Sequence, residues 1–185
     1  MDVVLASGSP QRREILATLK LDFTVRVSSV PELEVGDPAQ VAVENALRKA
    51  RAVSLPGADE LVIGCDTIVA LDGVIYGKPA DEREAAATIG ALAGRTQQVI
   101  SGLAVLVGAE ERTAVASTAV TFRPADPALI AWYVGTGEWR ERSGGYAIQG
   151  AGSTLVEAID GEVENVVGLP LQPLLALAPE LQGRP

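Results

Sequence analysis

The chain contains no histidine and only one cysteine, Cys65. The first absence excludes a histidine general base, any histidine-based triad and any histidine metal ligand. The second excludes an internal disulfide and a zinc cluster, and a lone thiol fits a reducing compartment. No run of about 18 or more apolar residues occurs, so no membrane span is expected. Met1-Asp2-Val3 lacks a basic leader before an apolar region, so no secretory signal is expected, and the protein reads as cytoplasmic. Lysine is scarce too: of 15 basic residues only Lys20, Lys49 and Lys78 are lysine. Where arginine is used almost everywhere else, a lysine marks a place for a compact point charge.

What is present suits one globular domain over residues 1–185, since 48% of the residues are hydrophobic and can fill a sizeable core. The net charge of −9 argues against a broad nucleic-acid surface. An anionic ligand would have to be held by a few local cations. Enzymatic chemistry would fall to carboxylates, a hard cation, lysine, arginine or hydroxyls.

The pattern along the chain alternates strand and helix early and turns to hairpins in the middle. Val3 to Ala6 reads as a buried strand. Ser9 is an N-cap with Pro10 at the first helical position, and Ile15, Leu16 and Leu19 form an apolar stripe. Phe23 to Val27 reads as a second strand. Asp37 to Gln40 is a capping box opening a helix whose buried face is expected at Val43, Ala46, Leu47 and Ala50, with Asn45, Arg48 and Lys49 on other sides. Leu61 to Leu71 is an apolar strand, Asp72-Gly73 a hairpin turn and Val74 to Tyr76 the return. Asp81 to Glu84 caps a helix that ends at Gly94. Val99 to Val107 and Arg112 to Phe122 read as long strands, and Asp126-Pro127 opens a helix through Trp132 that stops by Gly135. Ser153 to Ile159 reads as a strand, and Pro170 begins a last helix. This mixture predicts an α/β fold with a mixed sheet flanked by helices.

Several residues stand out chemically. "SGSPQR", Ser7 to Arg12, places a small hydroxyl-rich turn between a strand and a helix N-terminus. Free backbone N–H groups, the helix dipole, the hydroxyls of Ser7 and Ser9, close approach at Gly8 and the fork of Arg12 all favour an anion there. Asp66 lies inside an apolar strand, where a carboxylate is costly unless paired, hydrogen-bonded or bound to metal. Gly64, two residues earlier on the same face, leaves room beside it. Counting back from the hairpin turn puts Lys78 opposite Thr67 and next to Asp66, with a distortion at Gly77 needed to bring the two side chains together. Glu32 and Lys49 are charged residues that can join this group. "SGGYAIQG", Ser143 to Gly150, is a glycine-rich loop whose amide, Gln149, can both donate to and accept from a nucleobase edge.

Assembled, these stretches resemble the Maf family of nucleoside triphosphate pyrophosphatases. The matching pieces are "LASGSPQRREIL", Glu32 after Val30-Pro31, "ENALRKA", "GCDTIVALDGVIYGKP", "LAGRTQQVISGLAV", "SGGYAIQGAGSTLVEAIDG" and "VVGLP", in the family's order over nearly the whole chain. The resemblance implies two lobes around a central cleft, similar to the inosine triphosphate pyrophosphatases. It also implies hydrolysis of a nucleoside triphosphate to the monophosphate and pyrophosphate with a divalent cation, Mg²⁺ or Mn²⁺. "YAIQG" is similar to the branch acting on dTTP and UTP.

By the same resemblance, Ser7 and Arg12 bind substrate phosphate, in a turn where Gly8 and Ser9 are expected to help cradle its oxygens, and Asp66, Lys49 and Lys78 are catalytic. Because Mg²⁺ and Mn²⁺ prefer oxygen ligands, Glu32 and Asp66 are the residues expected to hold the metal. Thr67, Gln149 and position 11 set base preference, and here Gln11 replaces the family's usual arginine. The partners expected are the nucleotide alone, with neither nucleic acid nor membrane, and the resemblance allows a homodimer. The alternative function is a nucleotide-sensing regulator of septum formation and cell division.

Overall fold

In the computed structural model, residues 1–182 are described; 183–185 of the expected single unit lie outside them. The elements in chain order are β1 (Asp2–Leu5), α1 (Pro10–Ala17), β2 (Thr24–Val25), α2 (Pro38–Val53), β3 (Glu60–Leu71), β4 (Val74–Tyr76), α3 (Glu82–Leu92), β5 (Thr96–Val107), β6 (Glu110–Phe122), α4 (Pro127–Thr136), β7 (Val156–Asp160), α5 (Val163–Val167) and α6 (Leu171–Leu177). The sheet runs β2-β1-β3-β5-β6-β7, with β4 also paired to β3. Its first three strands are parallel, and β5, β6 and β7 continue antiparallel. This is the mixed α/β sheet expected from the sequence.

Helix starts follow their capping residues. The side chains of Ser9, Asp37, Asp81 and Asp126 accept from the backbone N–H groups of Arg12, Gln40, Glu84 and Leu129. Each satisfies a donor that the first helical turn leaves free. Glu84 reaches back to accept from the N–H of Ala80 at 2.8 Å.

Several boundaries differ from the sequence reading. β2 keeps two residues rather than the five from Phe23 to Val27, because it pairs with β1 only at Thr24 and Val25. β5 and β6 begin at Thr96 and Glu110, earlier than expected, since pairing with each other carries both past their apolar cores. α4 passes Gly135 and ends at Thr136, where Gly137 with φ of 75° supplies the left-handed cap. The expected strand from Ser153 starts at Val156, because residues 150–154 form a 3-10 turn. Between β7 and α6 lies α5, which the sequence reading did not expect.

The long central strands carry two cores on one face. Leu61, Ile63 and Cys65 of β3 pack with Leu169 and Leu174. Further along the same face, Val69 and Leu71 pack with Ile89 and Tyr133. Thr67 falls between them by the period-two alternation of a strand. The break between two cores on a shared sheet opens a cleft at the middle of β3.

The opposite face is covered by α2, which packs Ala46 and Ala50 on Val4, Val62 and Ala104. It sits unusually close. A Cβ on Gly64 would lie 2.2 Å from the Ala46 carbonyl oxygen, and one on Gly102 would lie 2.2 Å from the Ala42 carbonyl. The space left by Gly64 is therefore filled by the helix backbone. The close approach also turns the helix: its buried residues are Val41, Ala42, Asn45, Ala46, Lys49 and Ala50. The expected buried positions Val43 and Leu47 are only half-buried, whereas Asn45 and Lys49 face the sheet.

Candidate active site

Asp66 projects from the middle of β3 and is 4% exposed. Its Oδ1 accepts from Lys49 Nζ at 2.5 Å, and its Oδ2 accepts from Asn45 Nδ2 at 3.0 Å. Asn45 and Lys49 are one helical turn apart, 2% and 8% exposed. At that spacing both side chains leave α2 on the same face, which Gly64 and Gly102 bring down onto the strand. The cost of burying the carboxylate is offset by the ion pair and the amide.

Lys49 Nζ also donates to Glu32 Oε1 at 2.6 Å, and Lys78 Nζ stands 3.9 Å from Glu32 Oε2. Glu32 belongs to the segment between β2 and α2, which Asn45 holds from beneath. The Asn45 amide accepts from the N–H of Leu33 at 2.7 Å and donates to the Leu33 carbonyl at 3.0 Å. The result is a line of groups, Asn45–Asp66–Lys49–Glu32–Lys78. Sequence reasoning placed Lys78 against Asp66, but the β3–β4 ladder ends at Tyr76 and Lys78 leaves it to meet Glu32 instead.

Arg12 is a strut. Its Nε donates to the Gly168 carbonyl at 2.8 Å, Nη1 to Ser7 Oγ at 3.2 Å and Nη2 to Thr67 Oγ1 at 3.2 Å. Thr67 Oγ1 is also 2.8 Å from Ser101 Oγ. The Gly168 carbonyl accepts in addition from Cys65 Sγ at 3.2 Å. Burial pushes the Cys65 thiol above its ordinary pKa. The Ser7–Ser9 turn is closed by the N–H of Ser9, which donates to Ser7 Oγ at 3.2 Å.

Gln11 sits on the first turn of α1. With its nitrogen facing Ser9 and its oxygen facing Arg142, its amide donates to Ser9 Oγ at 3.1 Å and accepts from Arg142 Nη1 and Nη2 at 3.3 and 3.0 Å. Gln149 lies on an exposed loop that Glu138 holds, accepting from the N–H groups of Ala151 and Gly152 at 2.8 and 3.0 Å.

These groups share one cleft of about 550 Å³. Ser9, Gln11, Arg12, Glu32, Lys49, Asp66, Thr67, Lys78 and Gln149 all line it, and Ser7 and Gly8 line the adjoining chamber. Every site residue singled out in the sequence is thus in one place. Three were missed. Asn45 could have been found from Lys49, because it lies four residues earlier on the same helical face. Arg142 and Glu138 carried no signal in the sequence. The role of the Gly168 carbonyl was equally hidden, since backbone atoms leave no mark in a side-chain motif.

The donor set suits a divalent cation held partly by its ligand. Among the described residues no three acidic or sulfur side chains gather as a metal cluster. Glu32 and Asp66 nevertheless converge on one ammonium, and Mg²⁺ is commonly bound by one or two carboxylates together with substrate phosphates and water. No helix among the described residues is long and apolar enough to cross a membrane.

A family model described as Maf-like protein matches residues 2–181. A dTTP/UTP pyrophosphatase of Deinococcus radiodurans is 46% identical over 176 residues, covering 95% of this chain and 90% of that one. Another from Symbiobacterium thermophilum is 45% identical, covering 91% and 88%. One from Pyrococcus furiosus is 41% identical, covering 95% and 93%. The solved structure of the Staphylococcus aureus Ham1 protein aligns with a TM-score of 0.46 and 17% identity, over 66% of this chain and 72% of that one.

Proposed function

This chain belongs to the Maf-like protein family, and on that footing we propose that it hydrolyses dTTP and UTP to the nucleoside monophosphate and pyrophosphate. The observation that carries the reading is the line Asp66–Lys49–Glu32–Lys78 on the wall of a cleft that also holds Thr67 and Gln149. One end supplies charge for a polyphosphate, and the other supplies a hydroxyl and an amide for a base edge. The names of the relatives support the same substrates.

Asp66 orients the attacking water and takes its proton, work that falls to a carboxylate in a chain without histidine. Its two oxygens offer about four acceptor sites, and Lys49 and Asn45 use two of them. Lys49, Lys78 and Arg12 balance the charge of the phosphates as the α–β bond breaks. The turn at Ser7, Gly8 and Ser9 seats phosphate oxygens. Glu32 and Asp66 would hold Mg²⁺ or Mn²⁺, and such an ion, when bound, would polarise phosphate oxygens and acidify water. The reading implies the cytoplasm, where nucleotides are and where Cys65 stays reduced. A nucleotide sensor without turnover is less favoured, because sensing does not need an oriented carboxylate beside a phosphate seat.

The deciding experiment is a panel of nucleoside triphosphates with Mg²⁺ or Mn²⁺ and identified products. Thymidine or uridine monophosphate with pyrophosphate is expected. Orthophosphate and a diphosphate as first products overturn the reading.

A further inference from the structure

The cleft has two ends of different chemistry. One includes Asp66, Thr67 and Gln149. The other, on the Ser7–Arg12 side, contains none of these three; Arg12, Lys49, Lys78, Arg140 and Arg142 line both ends, against Glu32 and Glu141 alone here and against Asp66 and Glu138 as well in the first. In a chain of net charge −9 this local excess of cations stands out. Most of the five already have a partner. Lys49 bridges two carboxylates, Lys78 lies near Glu32, and Arg140 stacks on Trp139 and lies 3.9 Å from Glu82. Arg12 is fixed by hydroxyls and a carbonyl. Arg142 is half-buried and forms no ion pair among the described residues.

The stem of Arg142 is pinned. Its N–H donates to the Trp139 carbonyl at 3.2 Å and its carbonyl accepts from the N–H of Gly145 at 3.0 Å. The neighbouring Ser143 Oγ donates to the Thr67 carbonyl at 3.0 Å. Glu141, between the two arginines, has φ of 58°, a left-handed conformation that a non-glycine residue adopts at a cost. From across the cleft the neutral amide of Gln11 holds the guanidinium without cancelling its charge.

We propose that Arg142 binds the β- and γ-phosphates of the substrate, and the pyrophosphate that leaves, from the side of the cleft opposite the Ser7–Arg12 turn. This rests on the pyrophosphatase reading. Attack beside Asp66 places the α-phosphorus at the junction of the two ends. With the base toward Thr67 and Gln149, the remaining phosphates extend into the cation-rich end. A planar guanidinium donates to two phosphate oxygens at once. Charge that builds on the departing pyrophosphate strengthens that contact in the transition state.

The test measures binding of inorganic pyrophosphate and of thymidine monophosphate by calorimetry, in wild type and in Arg142→Gln, with kcat and KM for dTTP beside them. The expected result is a tenfold or greater loss of pyrophosphate affinity, less than a twofold change for the monophosphate, and a comparable fall in kcat/KM. Arg142→Lys, which keeps the charge and loses the fork, should recover part of the loss. Equal pyrophosphate affinity in wild type and in a folded Arg142→Gln protein overturns the proposal. So does an equal loss for both ligands, or no pyrophosphate binding by wild type. Absence of dTTP and UTP hydrolysis while pyrophosphate binding still separates the variants overturns the substrate assignment and leaves the anion site standing.

Discussion

The ammonium of Lys49 stands 2.5 Å from Oδ1 of Asp66, between a strand and a helix that touch through glycine. The same ammonium reaches Glu32, so one lysine neutralises the buried carboxylate and organises its neighbour. This makes the two partners unequal under mutation.

Asp66→Asn keeps an isosteric side chain that still accepts from Lys49, so the fold should survive while turnover falls about 10²-fold or more. Lys49→Met leaves Asp66 buried and unpaired, and should cost about 3–5 kcal/mol of stability as well as activity. Denaturant melts and kcat of the two variants check this. Equal stability losses would mean that the pair is not organised around a buried charge.

Asn45→Ala should lower kcat although Asn45 need not touch substrate. It removes the bonds to Asp66 and to the backbone of Leu33, which carries Glu32 with it. Three lost hydrogen bonds, two of them to neutral backbone groups, should cost about 2–3 kcal/mol. The expected kinetic sign is a fall in kcat exceeding any rise in KM, with the fall partly rescued by Asn45→Gln if the longer amide reaches either partner. Unchanged kcat in a folded variant would restrict Asn45 to packing.

Gly102→Ala should push α2 off the sheet. The added methyl would meet backbone atoms of Ala42, which cannot swing aside as a side chain can. Overpacking of this kind costs about 1–3 kcal/mol, occasionally more. Activity should fall too, because the same helix carries Lys49 and Asn45. Wild-type stability and rate together would show that the helix tolerates the shift.

Gln11→Arg should alter base choice and disturb Arg142. Glutamine offers one donor group and one acceptor group, whereas arginine offers donors only. A change worth one hydrogen bond, about 1 kcal/mol, alters relative rates about fivefold. The expected outcome is a fivefold higher ratio of kcat/KM for dTTP over GTP, with weaker pyrophosphate binding because the acceptor that holds Arg142 is replaced by a like charge. An unchanged ratio would leave Gln11 with only the second role.

Stability should decline in alkali partly through Cys65. Its thiol pKa is raised in the folded state from an ordinary value of 9.0, chiefly by burial. Below the unfolded pKa both states keep the proton and the full stability is present. Above it the unfolded chain ionises first, and stability falls by up to about 1.4 kcal/mol per pH unit until the folded pKa is passed. Tyr133, pushed up to about 12 by burial, acts in the same direction at higher pH. Melting temperatures between pH 8 and 10 should show a shallower decline in Cys65→Ala. Identical slopes would remove Cys65 from the account.

The sequence by itself determined the starts of the four side-chain-capped helices, the long central strands and most of the residues that line the cleft. Capping residues act on the next three residues, and a two-residue strand period is read over a few positions, so both are local. A lone carboxylate in an apolar strand announces a partner for the same reason, because its cost is independent of the rest of the fold. Which partner it takes was not local. Lys49 and Asn45 sit off the stripe that the sequence suggests for α2, and only the contact of that helix with Gly64 and Gly102 turns them inward. Lys78 meets Glu32 rather than Asp66 because the ladder stops at Tyr76. Arg142 faces Gln11 from 131 residues away because two cores on a shared sheet open a cleft between them. Such encounters depend on how elements pack, and packing is decided by surfaces that no single stretch of sequence contains.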